Sequence, residues 1–129
     1  MSLEEAERYA PAVVRYGVGI VFFLLGVSQI TGPEGWIAWF PSWITSFGFS
    51  IPTFIFLNGI FDSLVGLLLI IGLLTRIISL LAVLHLVGVI SVLGYNDIAI
   101  RDFGLLLAAL SVFLHDPDKL CLDSKIWKR

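Results

Sequence analysis

The stretch Asn58 to Arg76, NGIFDSLVGLLLIIGLLTR, constrains this chain more than any other. It is apolar enough to span a bilayer, yet it holds Asp62 well inside its length and closes on an arginine. An ionisable side chain at membrane depth is costly, so it faces a protein interior and has a partner there. The chain around Asp62 must therefore supply a bundle and a partner.

Composition agrees. Of 129 residues, 58% are hydrophobic, and the mean hydropathy is +0.98. These values predict an all-α integral membrane protein. The formal net charge of -2 and the absence of a basic block exclude nucleic acid as a partner. One cysteine, Cys121, rules out an intrachain disulfide, a CxxC dithiol and a Cys-rich metal site. No metal site is expected. The N-terminus, MSLEEAERYA, is acidic, whereas a signal peptide starts basic and has a shorter apolar core. The first apolar run is thus expected to stay as a helix.

The pattern predicts one transmembrane domain over 1–129, with spans at about 12–30, 53–74, 77–93 and 98–115 and a polar tail over 116–129. Arg15, one turn inside the first span, is expected to snorkel to the interface. Between the first two spans, TGPEGWIAWFPSWITSFGFSIP holds three tryptophans and no lysine or arginine. It reads as an interfacial segment with one or two short helices, or as a lid over the bundle mouth. Thr75 and Arg76 make the tight turn into the third span. The tail is amphipathic enough to lie on the membrane surface. With four crossings, Arg8, Arg15, Arg76, Lys119, Lys125, Lys128 and Arg129 share one side, and only Arg101 is on the other. The positive-inside rule then puts both termini in the cytoplasm and the Trp-rich segment outside, with Arg15 and Arg76 as topology anchors.

Depth selects a partner for Asp62. Folding back at Thr75 and Arg76 sets Asp62 level with about Val89, so His85 lies about 5–6 Å deeper. Folding at Gly94 to Asp97 brings Arg101 to within about 3 Å of the depth of Asp62. Arg101 is the expected partner, with Asn58 and Gln29 close enough to use spare guanidinium donors. Asp102 points about 100° away from Arg101 around the helix, and is expected to cap the helix start or face external water. His85 reads as a neutral side chain bonded across helices, or as part of a proton relay or quinone head-group site.

The second span and the run RDFGLLLAALSVFLHDPDKLCLD further on together resemble the DoxX family of small four-helix membrane proteins, which includes DoxD-like subunits associated with thiosulfate:quinone oxidoreductase. The most specific pieces are the GLxxxxGLLTR end of the second helix and the RDxGLL start of the fourth. The resemblance implies a four-helix bundle with an acidic residue in the second helix and an Arg-Asp start to the fourth, here Asp62, Arg101 and Asp102. Relatives often carry Glu at the first of these positions, so the shorter Asp62 reaches less far.

From this follows the expected function: a non-catalytic or quinone-contacting subunit of a membrane redox system. Its partners would be the bilayer, membrane redox subunits or further copies of the chain, and its one cofactor, if any, a quinone. Two other functions fit the sequence: a small proton or solute transporter or channel using Asp62, His85 and Arg101, and a membrane scaffold that recruits partners through the Trp-rich external segment.

Overall fold

A computed structural model describes residues 1–115 and 117–127. Asp116, the first residue of the expected tail, and the basic pair Lys128 and Arg129 lie outside the described residues. The described chain is helical throughout, with no strand. A short α1 (Leu3–Glu7) leads into α2 (Ala10–Thr31), and two 3-10 segments (Pro33–Trp39 and Ser42–Phe47) connect it to α3 (Ile51–Ile71). Then follow α4 (Thr75–Leu93), α5 (Asp97–Leu114) and a short α6 (Leu122–Ile126). Among the described residues, three helical stretches, Leu3–Thr31, Ile51–Ile71 and Thr75–Leu93, are long and apolar enough to cross a membrane. The fourth long helix, α5, carries Asp97, Arg101 and Asp102 in its first turns.

Each long helix buries one stripe and leaves the rest apolar and exposed, as lipid-facing helices do. The shared core is Val18 and Phe22 from α2, Val65 and Leu69 from α3, Ile78, Ala82 and Leu86 from α4, and Ala109 and Val112 from α5. The tightest seam joins α2 to α3. A Cβ placed on Gly26 would lie 2.4 Å from the backbone nitrogen of Ser63, and one on Gly66 would lie 2.3 Å from that of Phe23. Backbone meets backbone there, which only glycine allows.

The turn between α3 and α4 lies two residues earlier than the sequence suggests. Gly72 takes a left-handed conformation (φ 76°) and ends α3, with the Leu73 N–H reaching back to the Leu68 carbonyl. Leu74 is also left-handed (φ 50°), and α4 begins at Thr75. No local side chain caps α4. The cap comes from the tail: the two carboxylate oxygens of Asp123 accept the N–H groups of Leu74 (2.8 Å) and Thr75 (2.7 Å). Asp123 returns its own N–H to the Gly72 carbonyl. A charged acceptor at two orphan donors of a helix start is worth about 1–3 kcal/mol. Asp123→Ala should lower stability by about that amount, read as a reduced midpoint in thermal unfolding of the detergent-solubilised protein.

The tail does more than present an amphipathic face, with Leu120, Ile126 and Trp127 exposed. It folds against the bundle end, because its carboxylates satisfy groups that the helices leave open. Arg15 differs from expectation for the same reason. Instead of snorkelling it is 1% exposed. Its Nε donates to Asp118 Oδ2 (2.7 Å) and its Nη2 to Asp118 Oδ1 (3.2 Å), while Nη1 donates to the carbonyls of Leu69 and Ile70 at the end of α3. One guanidinium thus ties α2, the last turn of α3 and the segment after α5 together. Arg76 remains exposed, with its guanidinium 5.7 Å from the centre of the Phe113 ring. Burial opposes ionisation of Asp118, but the hydrogen bonds from Arg15 and the Leu120 N–H prevail and hold its carboxyl below the ordinary 3.8. Burial pushes the Cys121 thiol above its ordinary value. Cys121 is fully enclosed against Gly72 and belongs to this packing.

Candidate functional site

Midway along α3, Asp62 sits on the stripe that faces α2 and α4. Its neighbours come from three helices. Oδ2 accepts from Gln29 Nε2 on α2 (3.3 Å) and from Asn58 Nδ2 one turn earlier on α3 (3.1 Å). Asn58 Nδ2 also donates to Gln29 Oε1 (2.8 Å), which fixes the orientation of both amides. Oδ1 lies 3.1 Å from His85 Nε2 on α4, at ion-pair distance. That contact is not aligned as a hydrogen bond, and Oδ1 is a buried oxygen without an aligned donor.

The expected Asp62–Arg101 pair does not form. Because the chain folds back on itself, moving the turn by two residues moves the facing level by twice that, from about Val89 to His85. His85 therefore takes the place assigned to Arg101. Its ring is wedged between Phe61 (centroids 4.8 Å apart) and Phe22 (6.4 Å). Arg101 pairs instead with its neighbour, donating from Nε (3.0 Å) and Nη2 (2.9 Å) to Asp102 Oδ1. The long guanidinium arm spans the 100° between the two positions. Asp102 consequently neither caps α5 nor faces water. It is 4% exposed, and the cap of α5 is Asn96, whose Oδ1 accepts the Ala99 N–H (2.9 Å).

All six of these polar residues, Gln29, Asn58, Asp62, His85, Arg101 and Asp102, border one cavity of about 380 Å³. Its walls include Phe22, Leu86 and Val89 from the helices and Trp36, Trp39, Phe40 and Trp43 from the two 3-10 segments. The Trp-rich connection thus supplies part of the cavity wall. A T-shaped contact of Phe40 with Phe54 (5.8 Å) seats it on α3. The floor carries the formal charges of Asp62, Asp102 and Arg101, with His85 beside them. Such a pocket, aromatic above and polar below, can hold a flat apolar ring and orient polar atoms at its edge.

Sequence reasoning found the polar residues of the floor but mispaired them. It missed Asp118 and Asp123, whose partners lie far away in the chain; the acidic pattern of the tail was the one available signal.

The DoxX family model matches residues 10–95, more than half of the chain. A Bacillus subtilis (strain 168) protein described as "Putative oxidoreductase CatD" is 31% identical over 121 residues, covering 90% of this chain and 86% of that protein. No solved structure matches the chain.

Proposed function

The chain belongs to the DoxX family of multi-pass membrane proteins, and from that premise we propose that it is a quinone-contacting subunit of a membrane redox system. One observation carries this reading: a single cavity joins an aromatic wall to a polar floor made of Asp62, His85, Asn58, Gln29 and Arg101. A quinone needs both parts. Its ring is flat and apolar and stacks on tryptophan, while its edge oxygens seek hydrogen-bond partners. The oxidoreductase description of the B. subtilis relative points in the same direction. In this reading α5 makes the fourth crossing, both termini are cytoplasmic by the distribution of basic residues, and the cavity opens on the outer side. Partner subunits would exchange electrons with the bound quinone.

The test uses the tryptophans themselves. Three of the four line the cavity, so titrating a short-chain quinone such as decylubiquinone into the detergent-solubilised protein should quench tryptophan emission to a saturating limit. The midpoint should move to higher quinone concentration in Asn58→Leu, which removes a polar contact from the floor. Quenching that rises without saturation, as for a peptide in micelles of the same detergent, would sink the proposal.

A further inference from the structure

Asp62 is 5% exposed, and its two oxygens are treated differently. Oδ2 takes two amide donors; Oδ1 takes no aligned donor. A buried carboxylate oxygen left so is costly, and the usual remedy is a donor from whatever occupies the adjoining space. The adjoining space is the aromatic cavity. His85 Nε2 lies 3.1 Å from Oδ1 but is not aligned to donate to it. Across the floor the balance reverses. Arg101 gives two of its N–H groups to one oxygen of Asp102 and has further N–H groups to offer, on a side chain that is half exposed.

This arrangement asks for a ligand that donates at one end and accepts at the other. A quinone only accepts. We propose that the cavity prefers the reduced, hydroxyl-bearing form of its ligand, a quinol, with Asp62 accepting from a ring hydroxyl and Arg101 donating to an oxygen of the same ring. The proposal rests on the quinone reading above and specifies which redox form the site holds. If the preference is tenfold, the midpoint potential of the bound two-electron couple rises by about 30 mV relative to the free couple. Partner subunits would then find the bound quinone easier to reduce than the quinone in the bilayer.

The experiment compares three ligands of nearly equal shape by calorimetry under anaerobic conditions: decylubiquinone, decylubiquinol and the dimethyl ether of that quinol. The ether keeps the ring and its oxygens, adds a methyl at each, and removes both donors, while the quinone controls for the added bulk. The quinol should bind at least tenfold more tightly than either of the others. In Asp62→Asn, quinol affinity should fall to the level of the ether, while quinone affinity changes less than threefold. The comparison in the parent protein stands by itself, so an unstable variant does not spoil it. Equal affinity for quinol and quinone, or tighter binding of quinone, overturns this inference and leaves the quinone reading in place. Saturable binding of none of the three overturns both.

Discussion

Replacing Arg15 with methionine is expected to cost about 3–5 kcal/mol, the range for breaking a fully buried ion pair by removing one partner. Methionine keeps most of the bulk of the side chain, so the loss reads the charge and its hydrogen bonds rather than a cavity. Asp118, itself buried, would be left without its guanidinium, and the carbonyls of Leu69 and Ile70 would lose their donor. The measurement is unfolding in detergent, with Arg15→Met/Asp118→Leu as the second arm of a cycle. The double variant should regain part of the loss, because neither ion is then stranded. Acid offers an independent check. The Asp118 carboxyl is held below 3.8 in the folded chain, so its contribution is complete at neutral pH. It begins to fade near the ordinary 3.8, where protons first bind the unfolded chain, and is lost as pH falls through the lowered value. A parent protein that loses stability already between pH 7 and 5 would owe that loss to another group.

Gly66→Ala comes next in size. The added methyl would sit 2.3 Å from the backbone nitrogen of Phe23, and backbone cannot swing aside as a side chain can. The two helices must part, at a cost of about 3 kcal/mol, the upper end of the usual range for overpacking. Gly104→Ala supplies the control. Nothing lies within 4 Å of a Cβ at that position, so the change should be neutral or slightly stabilising through helix propensity. Equal melting points for both variants would mean that α2 and α3 do not meet at this seam. Parting them would also disturb the floor, since Gln29 and Asn58 bond across the same pair of helices.

Hydrophobic runs and glycine spacing made the helices legible, because lipid leaves a chain like this few alternatives. The polar residues of the floor were legible for a related reason: a charge in an apolar run stands out. Pairing was harder. It depends on register, and the register of α3 against α4 is set by where the turn falls, which rests on the left-handed backbone at Gly72 and Leu74. Gly72 is a visible signal for such a turn; Leu74 is not, since a leucine rarely adopts that conformation. Leu74 is held there by Asp123, 49 residues away. A local reading has no means of linking them. The same holds for Arg15, which looks like an interfacial anchor until Asp118 is known to reach it. The Trp-rich segment suits an interface and a lid alike by composition; its fold puts Trp36, Trp39 and Trp43 on the cavity wall while Trp39 and Trp43 stay about half exposed.

The cap that Asp123 places on α4 bears on how the chain is made. A ribosome delivers residues in order, and segments fold as they emerge, at about 5–20 residues per second. Asp118 and Asp123 are added 25 and 30 residues after the end of α4, about 1–6 s later at that rate. Until then the first turn of α4 and the last turn of α3 have open backbone groups, and Arg15 has no counterion. Nascent chains halted after α5 would therefore hold the helices in a looser association. The tail acts as a latch on the bundle end that closes only once Asp118 and Asp123 have been added.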